Sequence, residues 1–207
     1  MSAARFISLE GIEGAGKSTL ARALETALRE RGVPVLLTRE PGGSPLAERL
    51  RTVVLERGSE RITPTAETLL MFAARSIHIE NRIRPALAQG SWVICDRFTD
   101  ATRAYQGAGR GVDSALIERL ARAVHADLWP HRTLLLDLPV EQGLSRARAR
   151  GEGGDRFEDE DRRFFERVRA RYLELAASEP QRVRLIDATD DTRRVTESAL
   201  AALADLA

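Results

Sequence analysis

Cysteine is almost absent: the chain has one, Cys95, in 207 residues. A single thiol cannot build an internal disulfide framework, and such scarcity fits a reducing compartment. Its setting in "WVICD" reads as a small buried apolar residue rather than a reactive thiol. Long apolar runs are missing too. No stretch approaches the ~20 apolar residues needed to span a bilayer, and "MSAARFISLEG" lacks the apolar core of a secretory signal. The expected location is cytoplasmic, with no membrane partner. Charge of one sign is also lacking. The 32 basic and 31 acidic residues leave a formal +1, not the basic excess of a nucleic-acid binder, so no nucleic-acid partner is expected. Histidines are few: His78, His125 and His131 show no metal-ligand spacing with one another or with Cys95. They read as structural or surface groups.

What is present is ordinary for a globular protein: 43% hydrophobic and 30% charged residues, in a length that fits one domain over 1–207. Five short apolar runs, "RFISLE", "VPVLLT", "WVICD", "TLLLDL" and "RVRLID", alternate with segments of helical spacing. Those segments cover roughly 17–31, 45–56, 65–88, 113–124, 140–150, 159–178 and 192–206. Continuously apolar strands between helices predict a parallel sheet covered on both faces. The expected fold class is α/β, a three-layer α/β/α domain with a five-stranded parallel sheet. Sheets of this kind bind ligands beyond the carboxyl ends of their strands. Polar stretches follow every strand there: "EGIEGAGKS", "REPGG", "DRF", "DLP" and "DATDD".

Gly11 to Ser18 in "GIEGAGKS" fits G-x-x-x-x-G-K-[ST], the loop that wraps a nucleotide's phosphates. Lys17 would reach the β- and γ-phosphates, and Ser18 would offer its hydroxyl to magnesium. The sole asparagine, Asn81, precedes Arg82, so there is no N-K-x-D; D-x-x-G occurs nowhere. Guanine specificity and a switch role are disfavoured. Glu13 is the anomaly, since a carboxylate beside a triphosphate is repulsive. In "CDRF", Asp96 could hold a magnesium-bound water and Arg97 a phosphate by a forked pair, unless the two merely terminate the strand as an ion pair. In "LLMFAAR", Phe72 and Arg75 share a helical face, either to stack and read a base or, for Phe72, to fill the core. "TDATRAYQGAGRG" reads as a long polar loop suited to binding, with Thr102, Tyr105 and Gln106. "RARARGEGGDRFEDEDRR" is either a solvated charged turn or a glycine-hinged lid over about 146–157. Arg146 and Arg150 share one helical face in it, Arg148 points elsewhere and Arg156 begins the return.

Taken in order along nearly the whole chain, these stretches resemble the thymidylate kinase family of nucleoside monophosphate kinases. The resemblance implies a P-loop fold with a short arginine-bearing lid, ATP as phosphoryl donor, Mg2+, and phosphorylation of dTMP to dTDP by a homodimer. It implies ATP contacts from Gly11, Ile12, Glu13, Gly14, Ala15, Gly16, Lys17, Ser18, Thr19 and Arg146, with adenine between Arg146 and the turn at 187–189. For dTMP it implies Arg97 and Arg39 on the phosphate, Phe72 on the base, Arg75 near O4 and Thr102 near N3. Tyr105 would crowd the sugar 2′ position, with Gln106, Glu40 and Pro41 alongside. Ser18 and Asp96 would hold magnesium, partly through water, and Glu13 would turn toward the acceptor's 3′-hydroxyl. One subgroup of the family carries a catalytic arginine where this chain has Gly14, so the chain resembles the lid-arginine subgroup. Catalysis would then rest on Arg148, Arg150 and Arg156 with Lys17, Arg97 and Glu13, by in-line transfer without a covalent intermediate or general base. Two rivals stand beside this reading. One is a related kinase acting on dUMP, dCMP or a deoxynucleoside; the other is an ATP-binding regulatory module, which has no need of "DRF" or an arginine lid.

Overall fold

The computed structural model describes residues 3–56, 60–149, 157 and 160–206. Five strands, β1 (Phe6–Glu10), β2 (Val35–Arg39), β3 (Trp92–Asp96), β4 (Arg132–Asp137) and β5 (Val183–Asp187), form an all-parallel sheet in the order β2-β3-β1-β4-β5. Every residue of central β1 is buried, as an apolar run packed on both faces requires. The register sets Leu9 opposite Asp96 and Glu10 opposite Leu135. Each strand ends on an ionisable residue (Glu10, Arg39, Asp96, Asp137, Asp187), so the carboxyl edge of the sheet is polar while its body is not.

Helix α1 (Lys17–Glu30) leaves the glycine loop and buries Leu20, Leu24 and Leu28 along one face. Helices α2 (Pro45–Leu55) and α3 (Pro64–His78) both start on proline, whose missing N–H costs nothing in the first turn. The single helix expected over 65–88 is broken. α3 gives way to a π-helical turn, Ile79–Ile83, before α4 (Arg84–Ala88). Pro85 is the cause: it has no N–H and its ring would strike the carbonyl four residues back, so the turn widens. The Arg84 N–H accordingly reaches the Ile79 carbonyl.

The stretch expected as a polar loop is helical instead: α5 (Thr99–Thr102) runs into a π-helical segment, Arg103–Gly109, and most of it is buried. Its polar side chains find partners inside. Thr99 bonds His125 at 2.7 Å, Gln106 Nε2 donates to Glu67 at 2.8 Å, and Arg182 donates to Asp100 at 2.6 Å. Buried polar groups satisfied in this way need no solvent. α6 (Ser114–His125), α8 (Arg162–Ser178) and α9 (Thr192–Ala201) each begin on an aspartate cap, Asp113, Asp161 and Asp191. α9 is shorter than expected, and a separate 3-10 turn covers Ala204–Leu206. α7 (Val140–Ala149) carries the start of the expected lid; residues 150–156 of that lid lie outside the described residues. Among the described residues no helix is long and apolar enough to cross a membrane.

Candidate active site

The glycine loop bridges the end of β1 and the start of α1. Gly16 caps α1 with φ 92°, and the positive end of the helix faces the loop, a ready anion site. Lys17 is buried and its ammonium donates to the Gly11 and Ile12 carbonyls at 3.1 and 3.0 Å. Burial, then the charge of Arg97, lowers its pKa to about 8. Ser18 Oγ donates to Asp96 Oδ2 at 3.2 Å across the mouth of the loop. The lowered pKa has a measurable consequence. Near pH 8 much of Lys17 is neutral in the free protein, whereas a bound polyphosphate favours the charged form. Nucleotide binding at pH 8 is therefore expected to take up protons, approaching zero uptake at pH 6. Calorimetry in two buffers of different ionisation enthalpy measures it; zero uptake at pH 8 would remove the assignment.

Glu13 turns away from that loop. Its Oε1 accepts from Arg97 Nη2 at 2.9 Å and its Oε2 from the Tyr105 hydroxyl at 2.7 Å. The same Arg97 nitrogen donates to Tyr105 at 2.9 Å, and the guanidinium lies 4.4 Å over the Tyr105 ring. Burial holds the Tyr105 hydroxyl well above its usual range, so it stays a donor. Arg97 has φ 73°, a left-handed conformation costing of order 1–3 kcal/mol in a non-glycine residue. Its N–H still pairs with the Leu9 carbonyl, so the chain leaves the sheet abruptly there. Glu10 lies behind, accepting from Tyr172 at 2.6 Å and from the Phe98 N–H at 2.7 Å. Burial, then the charge of Asp100, raises its carboxyl to about 7.

Beyond Glu13 and Arg97 a cavity runs under the "REPGG" turn. Its walls include Glu40, Pro41, Met71, Arg75, Phe98, Thr102, Tyr105 and Gln106. Arg75 is 3% exposed. Its Nε donates to Glu40 at 2.6 Å and its Nη2 to the Phe98 carbonyl and the Thr102 hydroxyl, both at 3.1 Å. Among the described residues its buried Nη1 has no hydrogen-bond partner, which is costly unless something in the cavity accepts from it. A second cleft, lined by Lys17, Ser18, Arg39 and Asp96, opens over the glycine loop; Glu13, Glu40, Arg51 and Arg97 line both spaces.

The family model described as thymidylate kinase matches residues 9–199. The chain belongs to the thymidylate kinase family. It is 58% identical to a thymidylate kinase of Pseudomonas syringae pv. syringae over 183 residues, 88% of this chain and 87% of that one. It is 50% identical to one of Alkalilimnicola ehrlichii, over 99% of this chain and 94% of the relative. The crystal structure of thymidylate kinase from Ehrlichia chaffeensis superposes with a TM-score of 0.78 at 33% identity, covering 97% of this chain and 99% of that one.

Against the residues that the thymidylate kinase resemblance implied, most gather at this edge and a few do not. Phe72 misses the cavity. It is 2% exposed and packs with Ile117 and Ala121 of α6, under the Arg75 guanidinium at 4.8 Å. Its neighbour Met71, four residues before Arg75, takes the wall. Arg39 stays at the rim, half exposed and paired with Glu48 at 3.1 Å. Arg51, not singled out in the sequence, lines both spaces as Arg97 does, with Nη1 on the Pro41 carbonyl at 2.8 Å. A signal existed: Arg51 falls between buried Ala47 and Val54 at helical spacing, and an arginine on a buried stripe needs a reason.

Arg146 lies against the 187–189 turn, donating to the Ala188 carbonyl at 2.8 Å beside a hollow lined by Ala15, Gly16 and Thr19. Arg148 is exposed in the last turn of α7. Arg150 and Arg156 lie outside the described residues. The structural reading of the histidines holds: His125 bonds Thr99, His131 accepts from the Phe6 N–H at 3.0 Å, and His78 is fully buried. His78 does come within 4.8 Å of Glu40 and Cys95 donor atoms, a proximity its spacing did not foretell.

Proposed function

We propose that the chain phosphorylates dTMP to dTDP with ATP by direct in-line transfer between the two spaces. The shared wall of Glu13, Arg51 and Arg97 carries the reading: it is where an acceptor phosphate would face a donor triphosphate. On that reading Lys17 holds the donor β- and γ-phosphates and Arg97, with Arg51, holds the acceptor phosphate. Positioning and charge neutralisation then supply most of the rate, and no general base is required. Arg75 Nη1 donates to the 4-carbonyl of the pyrimidine, Met71 and Phe98 flank the ring, and Tyr105 closes the sugar's 2′ side. Glu13 accepts from the 3′-hydroxyl while steadying Arg97.

Ser18 Oγ and Asp96 Oδ2, 3.2 Å apart, are hard oxygen donors of the kind magnesium takes, Asp96 through a water. The ion would neutralise phosphate charge there. Arg148, Arg150 and Arg156 supply positive charge that Gly14 cannot. For the homodimer, α2 and α3 are the proposed interface, because Leu46, Val53 and Leu69 stand about half exposed on them.

The test is ADP release with ATP and magnesium against dTMP, dUMP, dCMP, UMP and thymidine, with a solution mass taken on the same sample. Turnover strongest with dTMP and a mass of two chains is the expected result. Some turnover of dUMP is allowed, since a methyl group is worth only ~1–3 kcal/mol in an apolar pocket. A better acceptor than dTMP would move the error to Met71, Arg75 and Thr102. No turnover by ATP-binding protein would favour the regulatory module.

A further inference from the structure

Glu40 and Arg75 face the cavity, but the group that fixes them does not. His78 follows Arg75 by three positions on α3, so both side chains leave the helix on one face. They grip the same carboxylate: Arg75 Nε bonds Glu40 Oε2 at 2.6 Å, and His78 Nδ1 bonds Glu40 Oε1 at 3.0 Å. The other ring nitrogen, Nε2, bonds the Thr38 hydroxyl at 2.6 Å. A carboxylate only accepts, so in a neutral ring Nδ1 donates to Glu40 and Nε2 accepts from Thr38. That pairing selects the tautomer. Burial pushes the Glu40 carboxyl up, but Arg75 and then His78 more than offset it, holding the carboxyl below its usual range. The "REPGG" turn sits directly on this ring: a Cβ on Gly43 would lie 2.3 Å from His78 Nε2.

Glu40 therefore cannot swing, and Arg75 inherits the constraint. With Nε on Glu40, Nη2 on Thr102 and Phe98, and the guanidinium over the Phe72 and Phe98 rings at 4.8 and 5.1 Å, the buried Nη1 is the nitrogen left without a partner among the described residues. We infer that His78 is a positioning residue that aims Arg75 Nη1 at the acceptor base, and that the Thr38–His78–Glu40–Arg75 chain thereby sets which pyrimidine is accepted. A donor at that point matches a 4-carbonyl and opposes a 4-amino group, so the chain selects thymine and uracil over cytosine.

This inference rests on the reading that Arg75 faces the base, and the experiment separates the two. Wild type, His78→Asn and His78→Gln are compared by kcat/KM for dTMP and dCMP and by KM for ATP. Asparagine keeps an amide where Nδ1 stands and so keeps the Glu40 bond; glutamine reaches toward Thr38 and loses it. The expected result is a roughly 10-fold fall in the dTMP-to-dCMP ratio for His78→Gln, with KM for ATP unchanged and most selectivity kept by His78→Asn. Should His78→Gln not fold, His78→Leu, which removes both ring nitrogens, takes its place with the same expected fall, and loss of selectivity in folded His78→Asn overturns the inference. Unchanged selectivity in folded His78→Gln or His78→Leu overturns it too. A wild type that does not discriminate against dCMP would instead overturn the Arg75 reading itself.

Discussion

A Glu13→Gln variant is expected to lose roughly 30-fold in kcat/KM for dTMP while KM for ATP stays within about twofold. The amide matches the carboxylate in shape, so the variant removes charge and little else. In the native protein that charge receives Arg97 Nη2 at 2.9 Å and the Tyr105 hydroxyl at 2.7 Å, and both oxygens are engaged away from the phosphate loop. A hydrogen bond to a charged group contributes about 1.5–3 kcal/mol when its partner is well buried, and 30-fold corresponds to ~2 kcal/mol. Both side chains are less than one-fifth exposed. With the charge gone, Arg97 keeps its stacking on Tyr105 but has only a neutral amide oxygen as its anchor, and on the proposed reading that anchor fixes its fork for the acceptor phosphate. The loss therefore belongs to dTMP. Initial-rate kinetics with each substrate varied in turn provide the check. A selective loss of ATP affinity would return Glu13 to the donor side.

The strands and the phosphate loop were legible because their physics is local. A strand buried on both faces is an unbroken apolar run, and a loop that must let backbone approach phosphate is rich in glycine. What stayed hidden depends on partners far along the chain. The segment 99–109 looks polar and glycine-bearing, yet folds as helix because Glu67, His125 and Arg182 wait to satisfy it. Phe72 and Met71 differ by one step, about 100° around the helix. Only the position of Ile117 and Ala121 on α6 decides which of them is core. The direction of Glu13 could not be read from its neighbours, since its partner Tyr105 is 92 residues away. Arg51 was readable in principle, through its place on the buried stripe of α2.

Gly143→Ala is expected to lower kcat by about 100-fold while leaving dTMP binding nearly intact. Helix propensity alone predicts the opposite, because alanine is favoured over glycine inside a helix by ~1 kcal/mol. The obstacle is contact with the phosphate loop. A Cβ at position 143 would lie 2.6 Å from the Glu13 carbonyl oxygen and 2.9 Å from Ile12 Cδ1. The isoleucine can rotate; the carbonyl cannot. The reciprocal position is tighter still, for a Cβ on Gly14 would lie 2.0 Å from the Gly143 carbonyl oxygen, at φ +73°. Two glycines thus let the backbone of α7 touch the backbone of the loop. α7 also carries Arg146 and Arg148, so a methyl group that pushes it off the loop displaces positive charge from what the proposed reading makes the donor side. Misplacement of about 1 Å can cost 10²-fold in rate. The same contact denies position 14 any side chain, and on the proposed reading charge at the transferring phosphoryl group then arrives from the lid. Single-turnover rates for Gly143→Ala, with dTMP affinity measured separately, decide the matter. Wild-type turnover in that variant would mean that loop and helix part freely, and position 14 would again be open to an arginine.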